Sequence, residues 1–217
     1  GRMVVGDFHD KLTEYSLRKD MAQQQAPPDK YTMEREKEPL PFLYTIAQFR
    51  GSNGESEVDL YTFVPDKNLV FGQGSSGTKQ TTLEYSAAAQ DSLYTDAADT
   101  AFTDVVTRSR LPENSFVLHK TPFTLEPGRH RVAVHIENRE SDRVQNYIHT
   151  LPVYNFRTSD LMLSDLLLAS QVQASEGMGE FSRGDHDIIP YPYNIVRRTT
   201  PVYVYFEVYH LKMSPGG

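Results

Sequence analysis

Apolar and polar positions alternate with a period of two along much of this chain. The clearest run is LEPGRHRVAVHIENRESDRVQNYIHTLPVYNF, residues 125–156. Glu126-Pro127-Gly128 is a turn signal, because Pro presets φ and Gly accepts a positive φ. Val132, Val134 and Ile136 then alternate with Arg131, Ala133, His135 and Glu137. That pattern predicts a half-buried strand with its valines and isoleucine on the core side. Asn138 to Asp142 predict a turn. On the return strand, Val144 and Ile148 share one parity, and Tyr147, Leu151 and Val153 the other. Matching the buried faces predicts an even register sum, since a one-residue slip would turn every side chain over; a sum of 282 would pair Ala133 with His149 and His135 with Tyr147.

The same texture begins near Pro39. PFLYTIAQFRG predicts a strand over 42–50. In SEVDLYTFVP, Val58, Leu60, Thr62 and Val64 alternate with Asp59, Tyr61 and Phe63, which predicts a strand over 57–64. TTLEYSAAAQ (81–90) predicts a weaker strand. SLYTDAADTAFTDVVTRS holds one or two strands, although its alanines also allow helix. NSFVLHKTPFTL (114–125) predicts a strand broken near Pro122. About seven strands with turn residues between them, and no helical crossovers, predict an all-β chain built on an immunoglobulin- or fibronectin-like β-sandwich.

Three regions follow. Residues 1–38 are charged and mixed in sign, and predict an arm or a short helix with Asp7 as N-cap and Phe8, Leu12 and Tyr15 on one face. Residues 39–156 are the sandwich. Residues 157–217 predict an extended segment that ends in a strong strand and opens, or packs on, a further β module. Within this segment Leu161 to Ala169 suits helix and buried strand equally. Pro190, Pro192 and Pro201 keep their surroundings extended. In PVYVYFEVYHL (201–211), Val202, Val204, Phe206 and Val208 make one face, and Tyr203, Tyr205, Glu207 and Tyr209 the other. This strand is predicted to pair with Leu161 to Ala169 or with an edge of the sandwich, rather than with a second copy.

Composition narrows the function classes. A net charge of −7 over 217 residues argues against nucleic acid as partner. With no cysteine there is no disulfide and no thiolate chemistry. No apolar run has the length of a membrane span, and no signal peptide is visible. The opening Gly-Arg-Met and closing Pro-Gly-Gly are expected to be cuts in a longer protein.

Four segments, taken in order, carry a resemblance: PLPFLYTIAQFRGSNGESEVDLYTFVP, LEPGRHRVAVHIENRESDR, LMLSDLLLAS and DIIPYPYNIVRRTTPVYVYFEVYHL. Together, over residues 39–211, they resemble the C-terminal β-rich part of bacterial GWxTD-domain proteins. The chain has no Trp, so the motif that names the family is absent. The resemblance implies a β-sandwich module of unknown biochemical function, extracytoplasmic in an envelope or secreted protein.

Candidate chemistry is sparse. GQGSSGTK (72–79) departs from a phosphate loop, because Thr78 separates Gly77 from Lys79 and a strand follows it. It reads as a flexible loop. His135 and His149, with Glu137 near them, invite a metal, but two imidazoles and a carboxylate need close convergence. His130 reads as a structural histidine. Asp185 and Asp187 around His186 read as a solvated turn rather than a calcium loop. No nucleophile elbow or triad is recognisable. We therefore expect no enzyme, no cofactor and no metal. The tyrosines remain: Tyr191, Tyr193, Tyr203, Tyr205 and Tyr209 form a candidate interaction surface for a protein partner, a neighbouring domain or a sugar.

Overall fold

The structure, a computed structural model, describes residues 37–74, 77–91, 96–175, 179–192 and 201–212. The predicted N-terminal arm or helix lies almost wholly outside the described residues, as does Tyr193. In chain order the first strands are β1 (Leu43–Arg50), β2 (Ser56–Pro65), β3 (Gly72–Gln73), β4 (Lys79–Gln90), β5 (Asp96–Thr107), β6 (Phe116–Leu125), β7 (Gly128–Asn138) and β8 (Arg143–Val153). Then come β9 (Met162–Leu163), β10 (Leu167–Ala174), β11 (Ser182–Arg183), β12 (His186–Pro190), β13 (Tyr203–Tyr205) and β14 (Val208–Tyr209).

The first eight strands make the predicted sandwich. One sheet runs β1–β2–β6 and the other β5–β4–β7–β8, all antiparallel. Short β3 pairs with Gln80 and Lys79 of β4, beyond the part that β7 covers. Counting the long strands as A to G, strands A, B and E share one sheet, and the fourth strand joins C, F and G in the other. This is an immunoglobulin-type arrangement. Leu40, Phe42, Val58, Leu60, Val64, Leu83, Val132, Val134, Ile136, Leu151 and Val153 fill the space between the sheets.

Three strand expectations sharpen here. β5 is one continuous twelve-residue strand, not a helix. Ala98, Phe102 and Val106 turn inward, while Ala101, Thr103 and Val105 face solvent, so period two outweighs alanine's helix propensity. β6 runs unbroken through Pro122, which sits opposite Asp59. An edge strand tolerates a residue without an N–H. The β7–β8 hairpin corrects the predicted register: Val132 opposes His149, Val134 opposes Tyr147 and His135 opposes Asn146. The inward residues of β8 are Tyr147, Leu151 and Val153. The Tyr147 ring packs at 4.7 Å on Phe42 and 5.5 Å on Tyr44, whereas Ile148 is exposed. Tyr147, Leu151 and Val153, not Val144 and Ile148, mark the packed face. Ahead of β1, the Leu40 N–H donates to the Val144 carbonyl and the Val144 N–H to that of Glu38, which covers the start of the β8 edge.

Residues after Phe156 build a third layer. Its sheet runs β11–β12–β10–β13, and β9 pairs with β14 beside it. This layer packs on the face of β1–β2–β6 that points away from the sandwich core. Ala47, Phe49, Tyr61, Phe63, Leu167, Ala169 and Ile188 fill that second seam. β2 is therefore buried on both faces, which is why nearly every residue in it is covered. Leu161 to Ala169 holds two strand pieces, β9 and the start of β10, and the single strong strand predicted over 201–211 is split into the short β13 and β14 that pair with them: Tyr205 opposes Leu167, Tyr203 opposes Ala169 and Val208 opposes Leu163.

Candidate functional site

Alternation decides what the third layer shows to each side. Leu167, Ala169, Tyr205, Glu207 and Tyr209 face the sandwich. Beneath them Arg183, on two-residue β11, reaches into the seam with its guanidinium 3.6 Å from the centre of the Phe49 ring. Its Nε donates to Glu207 at 2.7 Å, its Nη atoms donate to Glu57 at 3.2 Å, and Nη1 lies 3.5 Å from Asp59. The Tyr61 hydroxyl donates to Asp59 at 3.1 Å. Both Tyr205 and Tyr209 donate to Glu207, at 2.9 and 2.7 Å, and Tyr209 accepts the Arg50 N–H.

The electrostatics follow from that packing. Burial alone would lower the Arg183 pKa, but Asp59, Glu207 and Glu57 together raise it. Burial, then the hydrogen bond to Glu207, pushes Tyr205 up to about 12. Burial and Asp59 raise Tyr61 further still. Each acid here has a hydrogen-bond donor: Asp59 has Tyr61, Glu57 has Arg183, and Glu207 has Arg183, Tyr205 and Tyr209. The cluster fastens two layers together; it does not resemble an acid–base pair. Asp165 adds a second fastening: its carboxylate accepts the Gln48 N–H at 2.9 Å and the Tyr154 hydroxyl at 3.1 Å.

The other side of the third layer is apolar and open. Leu163 stands opposite Val208 and Leu168 opposite Val204, with Leu166 and Phe206 between them. Leu163 and Leu166 are 51% and 64% exposed, and Val204 and Phe206 52% and 46%. Leu161 and Leu211 extend the exposed set. A strand pair that is apolar on both faces has the composition of a layer covered on both sides.

The predicted tyrosine surface divides. Tyr203 is at the rim and 47% exposed, Tyr191 is half-buried, and Tyr205 and Tyr209 are half-buried with their hydroxyls turned inward to Glu207. His135 and His149 lie on opposite faces of their sheet, since His149 stands across from inward Val132 and His135 from outward Asn146. His135 instead contacts Asn146 and lies 3.8 Å from Glu137. The hydrogen bond from His135, with Lys37 adding to it, pushes the Glu137 carboxyl down to about 2 despite its partial burial. Among the described residues no group of three or more His, Asp or Glu converges as a metal requires. Of GQGSSGTK, Gly72-Gln73 is β3 and Lys79 opens β4, which pair antiparallel, and Ser75-Ser76 lie outside the described residues; Gly184-Asp185 is the two-residue turn between β11 and β12. His130 is buried beside Leu151.

Sequence reasoning missed Arg183 and the outward leucines. A signal for the leucines was present: LMLSDLLLA is apolar at both parities. Arg183 sits in a loop-like, glycine-flanked stretch, and its partner Glu57 is 126 residues away, so no local pattern points to it.

Compared with known proteins, the chain matches no family model and no curated protein. No helix among the described residues is long and apolar enough to cross a membrane.

Proposed function

We propose that this chain is a non-enzymatic interaction module, an immunoglobulin-like sandwich whose third layer presents an apolar stripe to a protein partner. A neighbouring domain of the same chain is one form that partner takes. The row Leu161, Leu163, Leu166, Val204, Phe206 and Val208 carries the reading, because contiguous apolar surface on a folded protein marks a protein contact. The resemblance to GWxTD-domain proteins supports an extracytoplasmic setting in a bacterial envelope or secreted protein. A sugar-binding role rests on a tyrosine platform. With Tyr205 and Tyr209 engaged on Glu207, the apolar stripe is the better supported surface.

The test is Leu163→Lys with Phe206→Lys. Both side chains face outward, so the thermal unfolding curve should move by no more than about 0.5 kcal/mol. Binding of an apolar-surface dye should fall, and a protein captured by the unsubstituted chain from an envelope extract should no longer bind. Equal capture by the double variant overturns the proposal.

A further inference from the structure

The three layers meet at one side chain, His119 of β6. Its Nε2 is 3.1 Å from Asp104 on β5, and its Nδ1 is 3.2 Å from Glu180, in the turn that leads into β11. β6 and β5 are edge strands of the two facing sheets. The His119–Asp104 contact therefore crosses the open side of the sandwich, and the His119–Glu180 contact ties in the third layer. Beneath the imidazole lie Tyr85 at 4.6 Å and Phe102 at 5.1 Å, ring centre to ring centre. The His119 side chain is 17% exposed. This is no metal cradle, because the two carboxylates sit on opposite nitrogens of the ring, which holds them apart.

A carboxylate only accepts hydrogen bonds, and a neutral imidazole has one N–H to give. Two carboxylates on two ring nitrogens are satisfied together only by the imidazolium. We infer that His119 is a pH-dependent clasp: protonated, it closes the open edge of the sandwich onto the third layer, and deprotonated, it releases Asp104. Asp104 is the partner released because Glu180 keeps a second donor, the Lys120 N–H at 2.8 Å.

The groups facing the ring agree with this. Asp104 comes from β5, Glu180 from the turn, Tyr85 from β4, and Lys120 is the next residue on β6. The Lys120 Nζ points away, to Ser182 and to Asp59 of β2. Burial alone would lower the His119 pKa, but Glu180 and Asp104 outweigh it and raise it. Burial would raise Glu180, but His119 and the Lys120 N–H outweigh it and lower it. For a histidine whose folded-state pKa is raised, the added stability is fully present below the ordinary histidine value. It is lost as pH rises through the raised value. The clasp is closed on the acid side and opens on the alkaline side.

The test is a pH titration of the His119 ring by nuclear magnetic resonance on the whole chain. Amide exchange of β5 and of residues 179–182 is followed across the same range, corrected for the intrinsic pH dependence. The ring should titrate above the ordinary value of about 6.5, and Asp104→Asn and Glu180→Gln should each move it down. Exchange near Asp104 should step up as pH passes the His119 midpoint, and that step should be gone in His119→Gln. A ring that titrates at or below 6.5, which needs no variant to measure, overturns the clasp. So does an unchanged exchange step in His119→Gln.

Discussion

The sheet β1–β2–β6 has two covered faces, and they are built differently. Toward the sandwich, Val58, Leu60 and Val64 of β2 meet Leu83, Ala87, Val132, Val134 and Leu151 in a continuous apolar core. Toward the third layer, Tyr61 and Phe63 of the same strand share their face with Glu57 and Asp59. Arg183 and the tyrosines on Glu207 complete that seam. Apolar packing is non-directional and scales with area. Ion pairs and hydrogen bonds fix position, but they leave costly groups behind when broken. The contrast teaches that the large seam holds the fold, while the small one holds the third layer in one place by geometry.

Breaking the first seam should have the largest effect. Val134→Asp places a carboxylate between Val132 and Ile136 with no partner, and should cost more than about 4 kcal/mol, enough to unfold the chain. Ala133→Asp, one residue along, should cost less. Ala133 is itself buried, but it lies on the outer face of its sheet opposite exposed Ile148, where a carboxylate can reach water. Equal urea midpoints for the two variants would refute this assignment of faces.

Breaking the second seam comes next. Arg183→Met leaves Asp59, with its side chain 3% exposed, facing Glu207 and Glu57 without their shared cation. Removing one partner of a buried ion pair costs about 3–5 kcal/mol, and because Lys120 stays 3.8 Å from Asp59 and Tyr61 still donates to it, the cost here should fall at the low end of that range. The loss should appear first as faster amide exchange in β10 and β12, with β4 and β7 still protected. Adding Asp59→Asn should recover part of it. Simultaneous loss of protection in both seams would show that the third layer is not a separate element of stability.

These two seams were unequally legible in the sequence. β2 and β7 were readable because aliphatic residues recur at every second position, as in Val58, Leu60 and Val64 or Val132, Val134 and Ile136, while β1 and β8 were readable only as extended segments between turn residues. The partners of β8 were misread because Tyr147, amphipathic and therefore ambiguous, packs inward where Ile148 does not. β5 was ambiguous because alanine, threonine and aspartate suit several structures, and its side is fixed by contacts with other strands, such as Phe102 stacked on Tyr85. The third layer was legible as pairing between Leu161–Ala169 and the C-terminal strand. Its inward face was not, because that depends on Arg183 meeting acids from β2. A row such as Tyr203, Tyr205 and Tyr209 can be read from parity, but where each hydroxyl points is decided by Glu207.

A smaller effect is expected at a polar knot on the sandwich side. Asn138, fully buried at the end of β7, donates to Thr81 at 2.6 Å and to Glu140 at 3.0 Å, and it accepts the Val70 N–H at 2.9 Å. Asn138→Ala removes the acceptor of the half-buried Val70 N–H and the bonds to Thr81 and Glu140, and should cost about 2 kcal/mol. Asn138→Asp keeps the acceptor but sets two carboxylates together at Glu140. It should be no better at neutral pH and should improve on acidification, when the introduced carboxyl is protonated and can donate. A flat pH response in Asn138→Asp would mean that the contact with Glu140 carries no energy.

The smallest effect is the most discriminating, because one chemical change is made in both seams. Tyr209 in the second seam donates to Glu207 at 2.7 Å and accepts the Arg50 N–H at 2.9 Å, while its ring packs 5.3 Å from Phe156. Tyr209→Phe keeps the ring and removes both hydrogen bonds, so it should cost about 1 kcal/mol. Tyr85 in the first seam packs its ring on Phe102 and His119, but its buried hydroxyl has no hydrogen-bond partner among the described residues. Tyr85→Phe therefore removes a desolvated polar group without breaking a bond, and should be neutral or stabilising by up to about 1 kcal/mol. Opposite signs in urea unfolding would confirm that apolar contact governs the first seam and directed bonding the second. A comparable loss in both variants would place a hydrogen bond on Tyr85 and remove the distinction at that site.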